Sequence, residues 1–128
     1  MKPIATKNGI CFAFPDVRNT PTPGPAVPVP YPNIAQLADA QDTATNVNAG
    51  GKPVILKSST IQSSTGGEAG TSGGVVATGP GPCKFTAASQ TVRANGVGIV
   101  RQGDTTDQND GNAKGTVMVG LPTVLVGD

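Results

Sequence analysis

The sequence contains no histidine and no tryptophan, and its only aromatic residues are Phe12, Phe14, Phe85 and Tyr31. Without histidine the chain lacks the commonest general base and the usual activator of a serine or cysteine nucleophile. Its two cysteines supply only half of an ordinary four-ligand zinc set. Neither sign of charge dominates. Nine basic and eight acidic residues leave a formal +1, which gives no footprint for nucleic acid and no polybasic membrane patch. No apolar run is long enough to span a bilayer. Pro3, Asn8 and Gly9 interrupt any signal-peptide core after Lys2 and Lys7. The chain is therefore expected to be made in the cytoplasm, and to leave it, if it does, without a cleaved signal.

What is present points to β structure. The 128 residues amount to one domain, 1–128. Glycine (18) and proline (12) are about twice as common as usual. Valine (14), isoleucine (6) and threonine (15) far outnumber leucine (4), a β-branched bias that favours strands. A core built from Val, Ile, Ala and Thr is thin. Such a chain needs tight turns, close strand packing or a partner.

Along the chain, Ile10–Phe14 reads as a short buried strand closed by Pro15-Asp16. Residues 21–32 form a proline tract, expected to be stiff and extended. Ile34, Leu37, Ala38 and Gln41 have helical spacing, so one short helix or helical turn is predicted over 33–41, with Asn33 as N-cap. Gly50-Gly51 marks a hairpin within 46–61. Residues 62–82 form a Gly/Ser/Thr-rich loop. A second hairpin turns at Asn95-Gly96, with one strand from Cys83 towards Ala94 and the other over Val97–Arg101. A polar loop over 104–114 and two short strands around Leu121-Pro122 finish the chain. The two hairpins repeat one another: Val47, Ala49, Gly51, Val54 and Ile55 match Val92, Ala94, Gly96, Ile99 and Val100, which suggests one turn and one buried face used twice.

Sites with catalytic chemistry are scarce. Cys11 lies in an apolar run, where burial raises a thiol's pKa and leaves it inert. Cys83 precedes Lys84, which would favour a thiolate, but no acid/base partner is evident. Two free thiols are the default in a reducing compartment, and a disulfide between them stays open. Asp107, Asn109 and Gly111 alternate as in a calcium loop, yet Met118 stands where an EF-hand needs a bidentate glutamate. Pro25–Pro28 fits a PxxP ligand on paper, without a neighbouring arginine. The glycines of 66–74 lack the Gly-Lys-Ser/Thr of a phosphate loop.

Three segments carry a family resemblance: Phe14-Pro15-Asp16-Val17-Arg18 with Pro28-Val29-Pro30-Tyr31-Pro32-Asn33; Gly51–Ser59 followed by Ser64–Thr71; and Asn95-Gly96 with Val100–Thr105. Over about residues 8–112 the chain resembles the PAAR-like domains of type VI secretion and related contractile injection systems. The ending Leu121–Gly127 is similar to their closing strand. The resemblance implies a mainly β fold: a small, loop-rich cone of short strands and hairpins in pseudo-threefold arrangement, with at most one short helix. It implies a structural role rather than an enzymatic one. The domain would cap and sharpen the trimeric, valine-glycine-rich spike, one chain on a homotrimer, and be expelled with it on firing. Contact with the target membrane would be transient, and cargo, which the sequence up to Asp128 does not include, would ride non-covalently.

The family's motif residues fall here on Phe14, Pro15, Asp16, Pro28, Pro30, Tyr31, Pro32 and Asn33. Relatives are implied to hold zinc at the tip through cysteine and histidine, but the corresponding positions are Arg18 and Gln108, with Cys11 and Cys83 only remote candidates. No metal or other cofactor is therefore expected. Val117, Val119, Val124 and Val126 are the candidate spike-facing residues. The competing reading is a stand-alone, non-catalytic binding module that uses its proline-rich or glycine-rich loop. A cysteine-dependent enzyme is disfavoured by the missing histidine.

Overall fold

β-branched residues broken by glycine and proline give many short strands. The computed structural model describes residues 1–66, 70, 73–74 and 81–128. The first third holds β1 (Lys2–Ile4), β2 (Ile10–Thr20) and β3 (Val27–Gln36). A single 3-10 turn (Leu37–Asp39) leads to β4 (Ala40–Gln41), β5 (Asn48–Ala49), β6 (Lys52–Pro53) and β7 (Thr60–Ile61). The last third adds β8 (Cys83–Phe85), β9 (Arg93–Ala94), β10 (Val97–Gly98), β11 (Thr105–Gln108), β12 (Ala113–Val117) and β13 (Leu121–Val126).

Two tight turns set the first tier. Gly50 and Gly51 have φ of 58° and 78°, and Asn95 and Gly96 have 52° and 77°. Two successive positive φ values are the mark of the I′ turn, whose twist suits a two-stranded ribbon. The turns join β5 to β6 and β9 to β10, with Ala49 opposite Lys52 and Ala94 opposite Val97. The same backbone bond follows in each: Val54 N–H to Val47 O (3.2 Å) and Ile99 N–H to Val92 O (3.1 Å). The sequence repeat is thus a repeat of structure. A third ribbon has no turn: β1 pairs with β13, Lys2 faces Val126, and the chain ends stand where the turn would be.

The strands leaving the three ribbons close a ring. Ala5 N–H bonds to Val100 O (3.0 Å), Val100 N–H to Ile55 O (2.9 Å), and Ile55 N–H to Ala5 O (3.0 Å). A second cycle surrounds it, from Lys7 to Pro53 (3.2 Å), from Lys57 to Gly98 (2.9 Å) and from Gln102 to Pro3 (2.8 Å). Burial follows the same symmetry: Ile4–Thr6, Val54–Leu56 and Ile99–Arg101 are buried in turn. The chain therefore carries a pseudo-threefold axis among Ala5, Ile55 and Val100. Around it Ile4, Val54 and Ile99 cluster with Ala49, Ala94 and Val126.

A second tier starts at matching positions, with Ile10 opening β2, Thr60 β7 and Thr105 β11. Each strand forms an antiparallel pair with the next one in the chain, and β12, β4 and β8 then pair onward with β2, β7 and β11. The result is a seven-stranded sheet of order β3-β2-β12-β11-β8-β7-β4. Its core holds Cys11, Ala35, Leu37, Ala40, Ile61, Cys83, Phe85 and Val117 beneath the ring residues. Close approach around an axis explains the small side chains. A Cβ at Gly115 would lie 2.3 Å from Phe12 O and 2.6 Å from Gln108 Oε1.

The proline tract is extended as its composition suggests, but from Val27 onward it is also paired, and Pro28, Pro30 and Pro32 lie inside β3. Ile34 N–H points away from β2, to Thr65 O (2.7 Å). Backbone alternation puts residues 28, 30 and 32 on that same outer side. The prolines thus remove donors only from the edge, while Val29, Tyr31 and Asn33 keep theirs towards β2. This lets a proline-dense segment pair with Asp16–Thr20.

Other expectations need correction. The helical spacing over 33–41 yields only the one 3-10 turn, because β3 pairing runs to Gln36. Gln36, not Asn33, precedes that turn. Ile10–Phe14 does not stop at Pro15, since a bulge lets β2 continue to Thr20. No single strand joins Cys83 to Ala94; β8 belongs to the large sheet and β9 to the ribbon. The polar 104–114 stretch is not a loop throughout but the β11–β12 hairpin, and its Asn109 and Asn112 are buried. The glycine-rich loop lies largely outside the described residues.

Candidate functional site

The β2 bulge decides where the motif residues go. Ala13 pairs with Asn33 and Asp16 with Tyr31, so Phe14 and Pro15 together face one residue of β3. Phe14 and Pro15, joined by a cis peptide, turn outwards, and Asp16 turns inwards and is fully buried. Pro28, Pro30 and Pro32 remain exposed on the edge, and Tyr31 is half-buried with its hydroxyl 2.6 Å from Thr20 Oγ1.

Asp16 anchors a buried polar network. Its Oδ2 accepts from Asn33 Nδ2 (3.3 Å) and Asn109 Nδ2 (3.0 Å), and its Oδ1 from Asn112 Nδ2. Gln108 Nε2 donates to Asn33 Oδ1 (3.0 Å) and to the Asn33 carbonyl (3.1 Å). Gln108 Oε1 accepts from Thr106 Oγ1 (2.8 Å). Asn109 Oδ1 accepts from Gly81 N–H (3.1 Å), and Asn112 Nδ2 also reaches Val17 O (3.0 Å). The turn that delivers these amides holds Asn109, Asp110 and Gly111 at positive φ. A buried carboxylate must be satisfied, and here side-chain amides do it. Nearby, Arg18 Nε donates to Gly70 O (3.0 Å).

A second polar unit ties down the C-terminus. The Asp104 carboxylate accepts from Arg101 Nε (3.0 Å), Arg101 Nη2 (2.9 Å) and the Arg101 backbone N–H (2.8 Å). Arg101 Nη1 reaches Gly127 O (2.9 Å). The bond to Asp104 raises the Arg101 pKa above its ordinary value.

Among the sequence candidates, Arg18 and Gln108 each serve hydrogen bonds in the interior. Val117 and Val126 face the core, through pairing with Cys11 and packing beside Ile4, whereas Val119 and Val124 face solvent next to exposed Met118 and Leu125. Cys11 and Cys83 are both fully buried. A hydrogen bond from Cys83 and burial push the Cys11 thiol far up. Lys84 is exposed on the opposite face of β8. Asp107 pairs with Lys114 (2.5 Å) across the hairpin instead of joining a calcium loop. Composition gave no sign of Thr106, Asn109 or Asn112 as interior residues; the local signal that marks their neighbourhood is Asn109-Asp110-Gly111, three residue types that tolerate the positive φ found there.

A family model described as a toxin PAAR-like domain matches residues 9–115. This chain belongs to that PAAR-like family. No curated protein and no solved structure matches it. The matched span holds both I′ ribbons and the Asp16 network, whereas β1 and β13, the ribbon that completes the threefold, lie outside it.

The zinc that the PAAR-like resemblance implies does not fit these residues. At the two positions stand a guanidinium and an amide whose N–H groups donate to oxygen, and neither is a zinc ligand. Both oxygens of Asp16 are engaged by amides. Among the described residues, no three of His, Cys, Asp or Glu come together.

Proposed function

We propose that this PAAR-like domain is a spike tip: it caps and sharpens the trimeric spike of a contractile injection machine, aiding membrane puncture and effector delivery. The observation that carries the reading is the closed ring of Ala5, Ile55 and Val100. A single chain with three similar sides can meet three identical subunits with three similar contacts, which an ordinary monomer cannot do. The ribbon tier suits the docking face. It presents exposed Val92, Val124 and Leu125, one or two from each of two ribbons, with Val47 half-buried on the other. Docking would stabilise a thin core, since binding the folded state adds to its stability.

The domain works without catalysis in this reading. It has no histidine, and its thiols are sealed in the core. It also works without a metal, the Asp16 amide network holding the tip. Excess chelator is expected to leave Tm unchanged, and a fall of several degrees on chelation would show a metal contribution. The domain is made in the cytoplasm and expelled with the spike, together with its cargo. The decisive experiment is size-exclusion chromatography with light scattering on a mixture with the spike trimer encoded beside it. One chain per trimer is expected. No complex between two folded components rejects the cap for that pair and favours a stand-alone binding module.

A further inference from the structure

Cys11 and Cys83 are 72 positions apart in sequence and sit on strands separated by two others in the sheet, β12 and β11. The pseudo-threefold arrangement nevertheless brings them into one layer. Cys11, Ile61 and Thr106 occupy equivalent second positions of β2, β7 and β11. Cys83 lies directly across the ladder from Ile61. Both cysteines have 0% exposure and belong to one apolar cluster with Ala5, Ile55 and Val100. Within it Cys83 is the neighbour that, together with burial, pushes the Cys11 thiol far up. The Asp16 network touches Cys11 only at its backbone carbonyl, through Gln108 Nε2 (3.4 Å), and engages neither thiol.

We propose that Cys11 and Cys83 are a cross-linking pair, which a disulfide oxidant closes into an internal bond that ties β2 to β8 through the core. The inference stands on core geometry and not on the spike-tip reading. The chemistry is thiol–disulfide exchange. One cysteine, deprotonated when the core opens, attacks an oxidised low-molecular-weight disulfide, forms a mixed disulfide and releases one thiol. The second cysteine, as thiolate, then attacks the protein sulfur of the mixed disulfide and releases a second thiol. The protein loses two protons and two electrons, and the oxidant gains both. While the fold is closed both thiols are shielded from solvent, so the reduced form persists in a reducing compartment. Once formed, the bond closes a long loop and restricts the unfolded chain.

The test refolds the full chain from urea into glutathione buffers of graded redox poise, then traps remaining thiols by alkylation. The expected product is a monomer that has lost about 2 Da, takes up no alkyl group, reverts with reductant and melts about 10 °C higher than the reduced form. C11A and C83A, each checked for folding, should show no poise-dependent change in Tm. The proposal is overturned if both thiols remain alkylatable at a poise that oxidises unstrained dithiols. It is equally overturned if the oxidised product links two chains or melts below the reduced protein. Should both variants fail to fold, the wild-type mass and Tm series decides alone.

Discussion

At the scale of single residues, the fold depends on groups whose surroundings leave no alternative. Asp16 accepts from three asparagine amides in a fully buried site. Asp16→Ala would strand those donors, and each orphaned buried group costs about 1–3 kcal/mol. A loss of about 3 kcal/mol is expected in urea unfolding, and a loss under 1 kcal/mol would show that the amides re-pair among themselves. Gly115 faces a different constraint. An added methyl would meet a backbone oxygen at 2.3 Å, so Gly115→Ala should cost about 1–3 kcal/mol through overpacking. Gly111 has open space around it and only its positive φ to defend, so Gly111→Ala should cost about 1 kcal/mol. Measuring both by thermal melts separates crowding from backbone strain.

At the scale of elements, β3 shows how proline can live in a sheet. Its prolines face the outer edge, where a missing donor harms nothing and discourages another strand from pairing. Pro30→Ala should therefore leave Tm within a degree or two while raising self-association in light scattering. Val29→Pro, one residue away, removes a donor to β2 and should lower Tm sharply. Equal damage from both would contradict the alternation. The two I′ ribbons make a matched pair. Gly51→Ala and Gly96→Ala both introduce a Cβ at nearly the same positive φ with no atom nearby, so they should destabilise alike, by about 1 kcal/mol.

At the scale of the whole molecule, the ring requires all three sides. Removing residues 1–5 takes away one side and the partner of β13 together, and orphans backbone bonds of Ile55, Val100 and Gln102. The truncated chain is expected to lose cooperative unfolding by circular dichroism. A sharp, native-like transition would mean that the matched 9–115 span folds without its third ribbon.

The amino-acid sequence by itself determined the β class, through its β-branched bias, and the two I′ turns, because Gly-Gly and Asn-Gly satisfy positive φ locally. It also made the ribbon repeat legible, since equal turns need equal flanking residues. The absence of histidine settled what chemistry the side chains lack. Only tertiary structure decided the rest. Prolines that read as a stiff, extended segment became part of an edge strand, because which amides a ladder needs depends on the neighbour. Asn109 and Asn112, polar residues that read as solvated, became interior because a buried carboxylate 93 and 96 positions away needs donors. The third ribbon was invisible locally, since chain ends carry no turn signal. Two distant cysteines became neighbours only because three sides close around one axis.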